Sequence, residues 1–169
     1  MSLRRIEKGD LEQILAWRNS DAVRLNMFSQ EPIELEQHYQ WFERMQTNES
    51  EAWWLYTDMY GEAVGVVYFT DIDTFTGTSF WGFYVDPQSE KGTGFRMGKD
   101  ALKKAFSELG LRKVYGDVLD FNTHSQRFHE KLGFLKEGCM RKHYRLNESY
   151  CDVVRYGLLK NEWQDYASR

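Results

Sequence analysis

Helical and strand patterns alternate along the first half of the chain. A short strand near Leu3–Ile6 precedes a helix over Asp10–Trp17, and a second helical stretch follows Pro32. The apolar residues of these two helices recur at helical spacing: Leu11, Ile14, Leu15, Leu35, Tyr39, Phe42 and Met45. β-Branched and aromatic residues then dominate three segments that we predict to form an antiparallel meander: Ala52–Thr57, Ala63–Asp71 and Ser79–Val85.

The second half of the chain alternates helices with strands. A glycine-rich loop, 91-KGTGFRMG, opens an amphipathic helix that ends at Gly110. A further helix runs to Leu132, among strands that we expect over Lys113–Leu119, Phe134–Met140 and Tyr150–Leu159. This order of elements predicts a layered α/β (α+β) fold. Since the chain shows no repeat or linker, we expect one domain over residues 1–169.

Composition narrows the class of protein. The chain has 169 residues, 41% hydrophobic and 28% charged, which suits one domain that needs no disulfide or metal. Its apolar runs are far shorter than the ~20 residues that span a bilayer, and its charged start does not resemble a signal peptide. We therefore expect a cytoplasmic protein without a membrane partner. The net charge of −4 argues against a nucleic-acid partner. Cys139 and Cys151 are too few for a zinc site and are expected to be buried, reduced thiols.

The glycine-rich loop fits neither common nucleotide-binding motif. Gly92 and Gly94 begin a G-x-G-x-x-G pattern, but Met97 stands at its third glycine. The Walker pattern fails too, because Thr93 replaces its first glycine and Asp100 replaces its Ser or Thr. What remains is a strand, a loop and a helix N-terminus near basic side chains, an arrangement that binds pyrophosphate. A flexible turn with solvated charges is an equal alternative.

Three runs in the second half resemble the GNAT superfamily of acetyl-CoA-dependent N-acetyltransferases: 81-WGFYVDP, 93-TGFRMGKDAL and 114-VYGDVLDFNTHSQRFHEKLGF. The resemblance implies a GNAT-like fold, in which a central, mostly antiparallel mixed sheet is flanked by helices. It also implies acetyl-CoA as co-substrate and no metal. The residues that it assigns to acetyl-CoA are Phe83, Val85, Thr93, Gly94, Arg96, Met97, Gly98 and Asn122.

Two of these positions carry an alternative. Thr93 and Arg96 depart from the family's loop pattern, and Arg96 is expected either to leave the backbone cradle intact or to add a direct phosphate contact. Asn122 is placed by the resemblance beside the pantetheine arm. A plain helix N-cap before Thr123 is an equal reading of the same residue.

The same resemblance assigns two catalytic residues. Asp117 interrupts an apolar strand and matches an acidic residue that acts as general base towards the acceptor amine; a structural ion pair is the alternative. His129 stands where the superfamily most often has a Tyr, and it is assigned as the acid that protonates the leaving thiolate. Its alternative is a surface histidine, the reading that we keep for His38, His124 and His143.

The N-terminal run 17-WRNSDAVRLNMFSQEPIELEQHYQWFERM resembles the amino-sugar N-acetyltransferases of pseudaminic acid biosynthesis, through Arg18-Asn19 and Met27-Phe28-Ser29. That resemblance implies transfer to the 4-amino group of a UDP-linked dideoxy amino sugar, with a role in flagellin glycosylation. It assigns four residues to the UDP-amino sugar: Met27, Phe28, Trp41 and Phe80. Ordinary core packing is the alternative for each of them.

Two further classes of function remain open at this stage. Within the same superfamily, the acceptor can be a polyamine or a protein N-terminus, and a polyamine enzyme is expected to have an acidic groove. Outside enzymes, a domain that only senses acyl-CoA is the alternative. The sequence leaves open the sugar isomer, the acyl-chain selectivity and the oligomeric state.

Overall fold

The computed structural model describes residues 1–167, and the side chains of residues 1–163. A single 3-10 turn at Lys8–Asp10 leads into the first helix. The helices are α1 (Leu11–Asn19), α2 (Asp21–Arg24), α3 (Leu35–Met45), α4 (Thr93–Ser107), α5 (Thr123–Lys131) and α6 (Lys160–Ala167). The strands are β1 (Ser2–Arg5), β2 (Ala52–Thr57), β3 (Ala63–Asp73), β4 (Thr78–Val85), β5 (Lys113–Leu119), β6 (Leu135–Leu146) and β7 (Ser149–Leu159).

The strands form one seven-stranded sheet in the order β1-β2-β3-β4-β5-β7-β6. Every pair of neighbours is antiparallel except β4 and β5, which are parallel. The predicted mixed, mostly antiparallel sheet flanked by helices is therefore confirmed. That residues 1–169 form a single domain stays a prediction.

β4 and β5 separate soon after they begin to pair. Their register holds only for Thr78–Phe80 against Lys113–Tyr115. Beyond that point β4 stays paired with β3 as far as Val85, and β5 stays paired with β7 as far as Leu119. The sheet is thus split along its middle, and the edge of β4 that faces the split is left without a neighbouring strand.

Each face of the sheet has its own apolar core. On one face, α4 packs its apolar stripe against Trp81 of β4 and Val114 of β5. On the other face, Leu11 and Ile14 of α1 and Phe42 of α3 pack together with strand residues of β2, β3 and β4. Since successive residues of a strand point to opposite faces, β4 contributes to both cores.

The C-terminal hairpin differs most from the prediction. β6 extends to Leu146, and its register shifts between Met140 and Tyr144, so the alternation that marks a strand is broken there. Cys139 is exposed and Cys151 is half-buried. Both are free thiols, but the expectation that they are buried is wrong. In the part of the chain that the structure describes, no helix is long and apolar enough to cross a membrane.

Candidate active site

A cavity of about 970 Å³ occupies the split between β4 and β5. It extends from the N-terminus of α4, past β4 and α5, to α1 and the loop that follows α2. A cavity of this size, bordered by an unpaired strand edge, is a default ligand site in a protein of this size. Among the described residues, no cluster of His, Cys, Asp or Glu is arranged to hold a metal ion.

One end of the cavity is the N-terminus of α4. Gly92 precedes the helix in the left-handed region, with a φ of 90°, and the first turn contains no acidic residue. Gly92 and Gly94 both line the cavity. A 15-residue helix that begins in this way presents backbone N–H groups and the positive end of its dipole to an anion. This end of the cavity is suited to a pyrophosphate.

The structure places the side chain of Arg96 away from the cavity. Its Nη2 donates to Thr93 Oγ1 at 3.1 Å and lies 3.6 Å from a carboxylate oxygen of Glu90. Neither Arg96 nor Thr93 lines the cavity. These contacts orient the guanidinium towards its own helix turn, and a direct phosphate contact by Arg96 stays a prediction.

Met97 and Gly98 also have structural roles. Met97 is fully buried in the core beneath α4. A Cβ at Gly98 would lie 2.8 Å from Leu132 and 3.1 Å from Phe128. Close packing of α4 on α5 is thus one reason for a glycine at position 98, and neither residue lines the cavity. Their assignment to acetyl-CoA stays a prediction.

Three other residues assigned to the cofactor do line the cavity. They are Phe83, Val85 and Asn122. Asn122 is also the N-cap of α5, since its Oδ1 accepts a hydrogen bond from the backbone N–H of Ser125 at 3.0 Å. The alternative reading of Asn122 is thus correct as to the cap. Contact of these residues with acetyl-CoA stays a prediction.

His129 is buried, with 3% of its surface exposed. Its Nδ1 lies 2.8 Å from the carbonyl oxygen of Ser125, and its Nε2 lies 3.2 Å from the indole nitrogen of Trp81. A carbonyl only accepts and an indole N–H only donates, so Nδ1 carries the proton and Nε2 accepts. Burial lowers the pKa of His129 to about 4. The ring is neutral at pH 7 with its one proton engaged, which argues against the general-acid assignment.

The contact between Trp81 and His129 depends on a glycine. A Cβ at Gly116 would lie 2.9 Å from His129 Nε2 and 3.0 Å from Trp81 Nε1. Trp81 is the first residue of β4 after its last pair with β5. The hydrogen bond therefore ties β4 to α5 at the point where the sheet splits.

Asp117 lines the cavity but is held in an ion pair. Its two carboxylate oxygens accept hydrogen bonds from Nε and Nη2 of Arg155, both at 2.7 Å. The two residues are directly paired across β5 and β7. The carboxylate in turn raises the pKa of Arg155 above its usual value. The structural ion pair is the reading that the structure shows, and it disfavours Asp117 as a base because both oxygens are engaged.

The end of the cavity away from the N-terminus of α4 contains three of the four residues assigned to the substrate. Met27, Phe28 and Phe80 line it. Two other elements hold this wall in place: the hydroxyl of Tyr144 in β6 donates to the carbonyl of Phe28, and the side chain of Asn19 in α1 bonds both backbone groups of Ile33 at 2.8 Å.

Trp41 does not line the cavity. It stacks on His38 with ring centroids 4.9 Å apart and meets Trp53 edge-on at 4.8 Å. Trp53 in turn stacks on Tyr68 at 4.1 Å. The packing alternative for Trp41 is therefore the one that the structure shows, and its contact with a substrate stays a prediction. His38 is buried, so its expected surface position is wrong as well.

The sequence reasoning missed Arg18, Tyr68 and Tyr84, which also line the cavity. Arg18 Nη2 donates to the carbonyl of Ser29 at 2.8 Å. Tyr84 directly follows Phe83, so its side chain points to the other face of β4. The alternation along β4 was a usable signal for Tyr84; for Arg18 and Tyr68 the signal lies only in the packing.

Comparison with known proteins identifies the family. The family model of the acetyltransferase (GNAT) domain matches residues 1–135. The chain therefore belongs to the GNAT acetyltransferase family, and the expectation of an N-acetyltransferase is confirmed. A prophage-derived, uncharacterized N-acetyltransferase YokL of Bacillus subtilis is 36% identical over 104 residues, which are 60% of this chain and 58% of that protein.

Other similar proteins carry the name of a substrate. A spermidine N(1)-acetyltransferase of Vibrio cholerae is 24% identical over 165 residues, 96% of this chain and 95% of that protein. The structure of a spermidine N-acetyltransferase from Vibrio cholerae with CoA and spermine aligns with a TM-score of 0.90 at 24% identity. That alignment covers 96% of this chain and 97% of the other. Its fold is the fold of this chain.

These similarities overturn the expected acceptor. The relatives are named for spermidine, so the UDP-linked dideoxy amino sugar, and with it pseudaminic acid biosynthesis and flagellin glycosylation, is the wrong reading. The residues behind it, Arg18-Asn19 and Met27-Phe28-Ser29, have a structural explanation. The first pair binds backbone groups of the loop in which the second run lies.

Proposed function

We propose that this protein transfers the acetyl group of acetyl-CoA to a primary amine of a small molecule. Among such amines, the polyamines are the class that the names of the relatives support. The observation that carries the proposal is the split between β4 and β5. It opens one continuous cavity between the N-terminus of α4 and the wall formed by Met27, Phe28 and Phe80.

The residues at the α4 end suit coenzyme A. Gly92 and Gly94 leave the helix N-terminus open to a pyrophosphate, which supports donor binding there. The edge of β4 beyond Phe80 has no neighbouring strand on the side of the split, so its backbone groups are available to the amides of a pantetheine arm. Acetyl-CoA supplies the acetyl group as a thioester.

The backbone of β4 also serves the chemistry. Attack by an amine on a thioester places negative charge on the carbonyl oxygen, and N–H groups that are already in position stabilise it. Phe83 and Val85 lie on the segment that offers such groups. Neither His129 nor Asp117 is placed to hold the amine's proton, because both are engaged in hydrogen bonds. We assign the amine's proton to water in the open cavity. As the C–N bond forms and the C–S bond breaks, CoA leaves as a thiolate, which takes up a proton from the same water.

Release of CoA in the presence of acetyl-CoA tests the proposal, with spermidine, monoamines and N-terminal peptides assayed in parallel. Gly94→Ala is the informative variant. Its Cβ would lie at ordinary contact distances of 3.7 Å from Phe128 and Val85, yet it narrows the pyrophosphate site at the N-terminus of α4. We expect it to weaken CoA binding by about tenfold. Gly9→Ala is the matched control, since nothing lies within 4 Å of a Cβ there.

Three results would contradict the proposal. Acetylation of peptides alone would exclude a small-molecule acceptor. CoA binding without turnover of any amine would favour the acyl-CoA sensor. Unchanged CoA affinity in a folded Gly94→Ala protein would place the donor elsewhere.

A further inference from the structure

Arg18 is a buried cation in the acceptor half of the cavity. Only 9% of its surface is exposed, and it lines the cavity next to the Met27–Ser29 loop. Its Nη2 donates to the carbonyl of Ser29, but its Nη1 is buried without a hydrogen-bond partner among the described residues. A buried guanidinium with an unused nitrogen is costly unless an anion or another acceptor completes its hydrogen bonds.

The charge of Arg18 is not balanced by a neighbouring carboxylate. In the side chains described, residues 1–163, no salt bridge includes Arg18. Three acidic residues line the cavity, and one of them, Asp117, has both of its oxygens bound to Arg155. The other two acidic residues that line the cavity, Asp86 and Glu90, lie in the turn between β4 and α4, at the donor end.

Two tyrosines line the same cavity as Arg18. Tyr68 and Tyr84 line the cavity and belong to the same side of the sheet as α1. Gly82 makes room for Tyr68, because a Cβ there would lie 2.2 Å from the tyrosine's hydroxyl oxygen. Burial raises the pKa of both tyrosines, and the positive charge of Arg18 offsets part of that rise. The cluster thus combines a guanidinium with two hydroxyls that can donate hydrogen bonds.

We propose that Arg18, Tyr68 and Tyr84 form a subsite for an oxyanion, a carboxylate or a phosphate, carried by the acceptor amine. The inference rests on the proposed acetyl transfer and sharpens its substrate class. An acceptor of this kind bears its amine at one end and an anion at the other. The inference departs from the polyamines for which relatives are named. A polyamine bears only cations, so Arg18 disfavours it by like-charge repulsion.

The test uses amines that differ by one oxyanion. Hexylamine is compared with 6-aminohexanoate for the carboxylate, and ethanolamine with O-phosphoethanolamine for the phosphate; spermidine is included. Each is titrated into the full chain with CoA by calorimetry and assayed for acetylation. The variants are Arg18→Gln, Arg18→Lys and the exposed control Arg5→Gln.

We expect the wild type to bind one anionic amine at least about tenfold more tightly than its uncharged partner, as charge-assisted hydrogen bonds imply. Arg18→Gln abolishes this preference, which is measured as the ratio of the two affinities within each pair. Arg18→Lys keeps part of it, and Arg5→Gln keeps all of it. A preference for 6-aminohexanoate over hexylamine indicates a carboxylate site. A preference for O-phosphoethanolamine over ethanolamine indicates a phosphate site.

Two results would overturn the inference. Equal binding of both members of each pair by the wild type would remove the subsite. Spermidine as the preferred acceptor of the wild type, with a kcat/KM that Arg18→Gln leaves unchanged or lowers, would show that Arg18 only holds the Ser29 loop. Because binding is measured without turnover, a protein that binds the anionic amine but acetylates nothing refutes the proposed function and leaves the subsite standing.

Discussion

The indole of Trp81 donates a hydrogen bond to the imidazole of His129 at 3.2 Å, and Gly116 provides the space in which they meet. This contact sets the tautomer of His129, buries its lone pair and fixes β4 where it leaves β5. The histidine that the family pattern assigned to proton transfer therefore acts first as a structural link.

Replacing His129 by Phe tests this role. We expect the free energy of unfolding to fall by about 1–3 kcal/mol, because the Trp81 N–H loses its acceptor. Between neutral and alkaline pH, the dependence of kcat on pH should keep its shape. Denaturant unfolding and pH-rate profiles measure the two effects. A tenfold loss of kcat with unchanged stability would restore His129 as a general acid.

The depressed pKa of His129 predicts a pH-dependent stability. Its value is about 4 in the folded protein against 6.5 unperturbed, so the unfolded chain binds the proton more readily. The stabilisation is complete above pH 6.5 and is lost as pH falls towards 4, by about 3 kcal/mol in total. Unfolding in urea at pH 7 and pH 4.5 should show a smaller difference for His129→Phe than for the wild type. Equal differences would contradict the burial of a neutral ring.

Gly116→Ala should separate Trp81 from His129. The new Cβ would lie 2.9 Å from His129 Nε2 and 3.0 Å from Trp81 Nε1. The hydrogen bond between these two atoms cannot persist. We expect a loss of about 1–3 kcal/mol in stability and a change in tryptophan fluorescence. Gly138→Ala is the control, because nothing lies within 4 Å of a Cβ at that strand position. Equal effects of the two variants would show that the space at Gly116 is not used.

Asp117 and Arg155 should be energetically coupled. Single and double Ala variants in an unfolding cycle are expected to give a coupling of about 1 kcal/mol, since the pair is bidentate but partly exposed. Asp117→Asn should lower kcat less than tenfold. A larger loss of kcat, with the pH profile moved and stability preserved, would identify Asp117 as the base instead.

Trp41→Ala should affect stability and leave the acceptor KM within twofold of the wild type. The ring packs between His38 and Trp53, outside the cavity. Phe80→Ala, which alters the wall itself, is the comparison and should raise the KM. Thermal unfolding and steady-state kinetics with one acetylated amine separate the two variants. A raised KM for Trp41→Ala alone would place the acceptor against α3.

The sequence predicted the elements better than it predicted the site. Periodicity found α4 with its buried stripe and the strands β2, β3 and β4, because one face of each is apolar. It could not show that β4 and β5 pair for only three positions, since nothing in either strand marks where they part. The surroundings of Arg96 and Gly98 were hidden for a related reason: a helix N-terminus shows in sequence, but the contact of Arg96 with Glu90 and the closeness of Leu132 to Gly98 depend on tertiary packing.

The acceptor wall and the donor end of the cavity are held by different parts of the chain. Phe28 is held from β6 through Tyr144, and Ser29 from α1 through Arg18, whereas the donor end is built from α4 and its preceding glycines. Substitutions in the C-terminal hairpin can therefore reshape the wall while the cradle stays intact. Such an arrangement lets the acceptor wall change through substitutions far along the chain from the donor site.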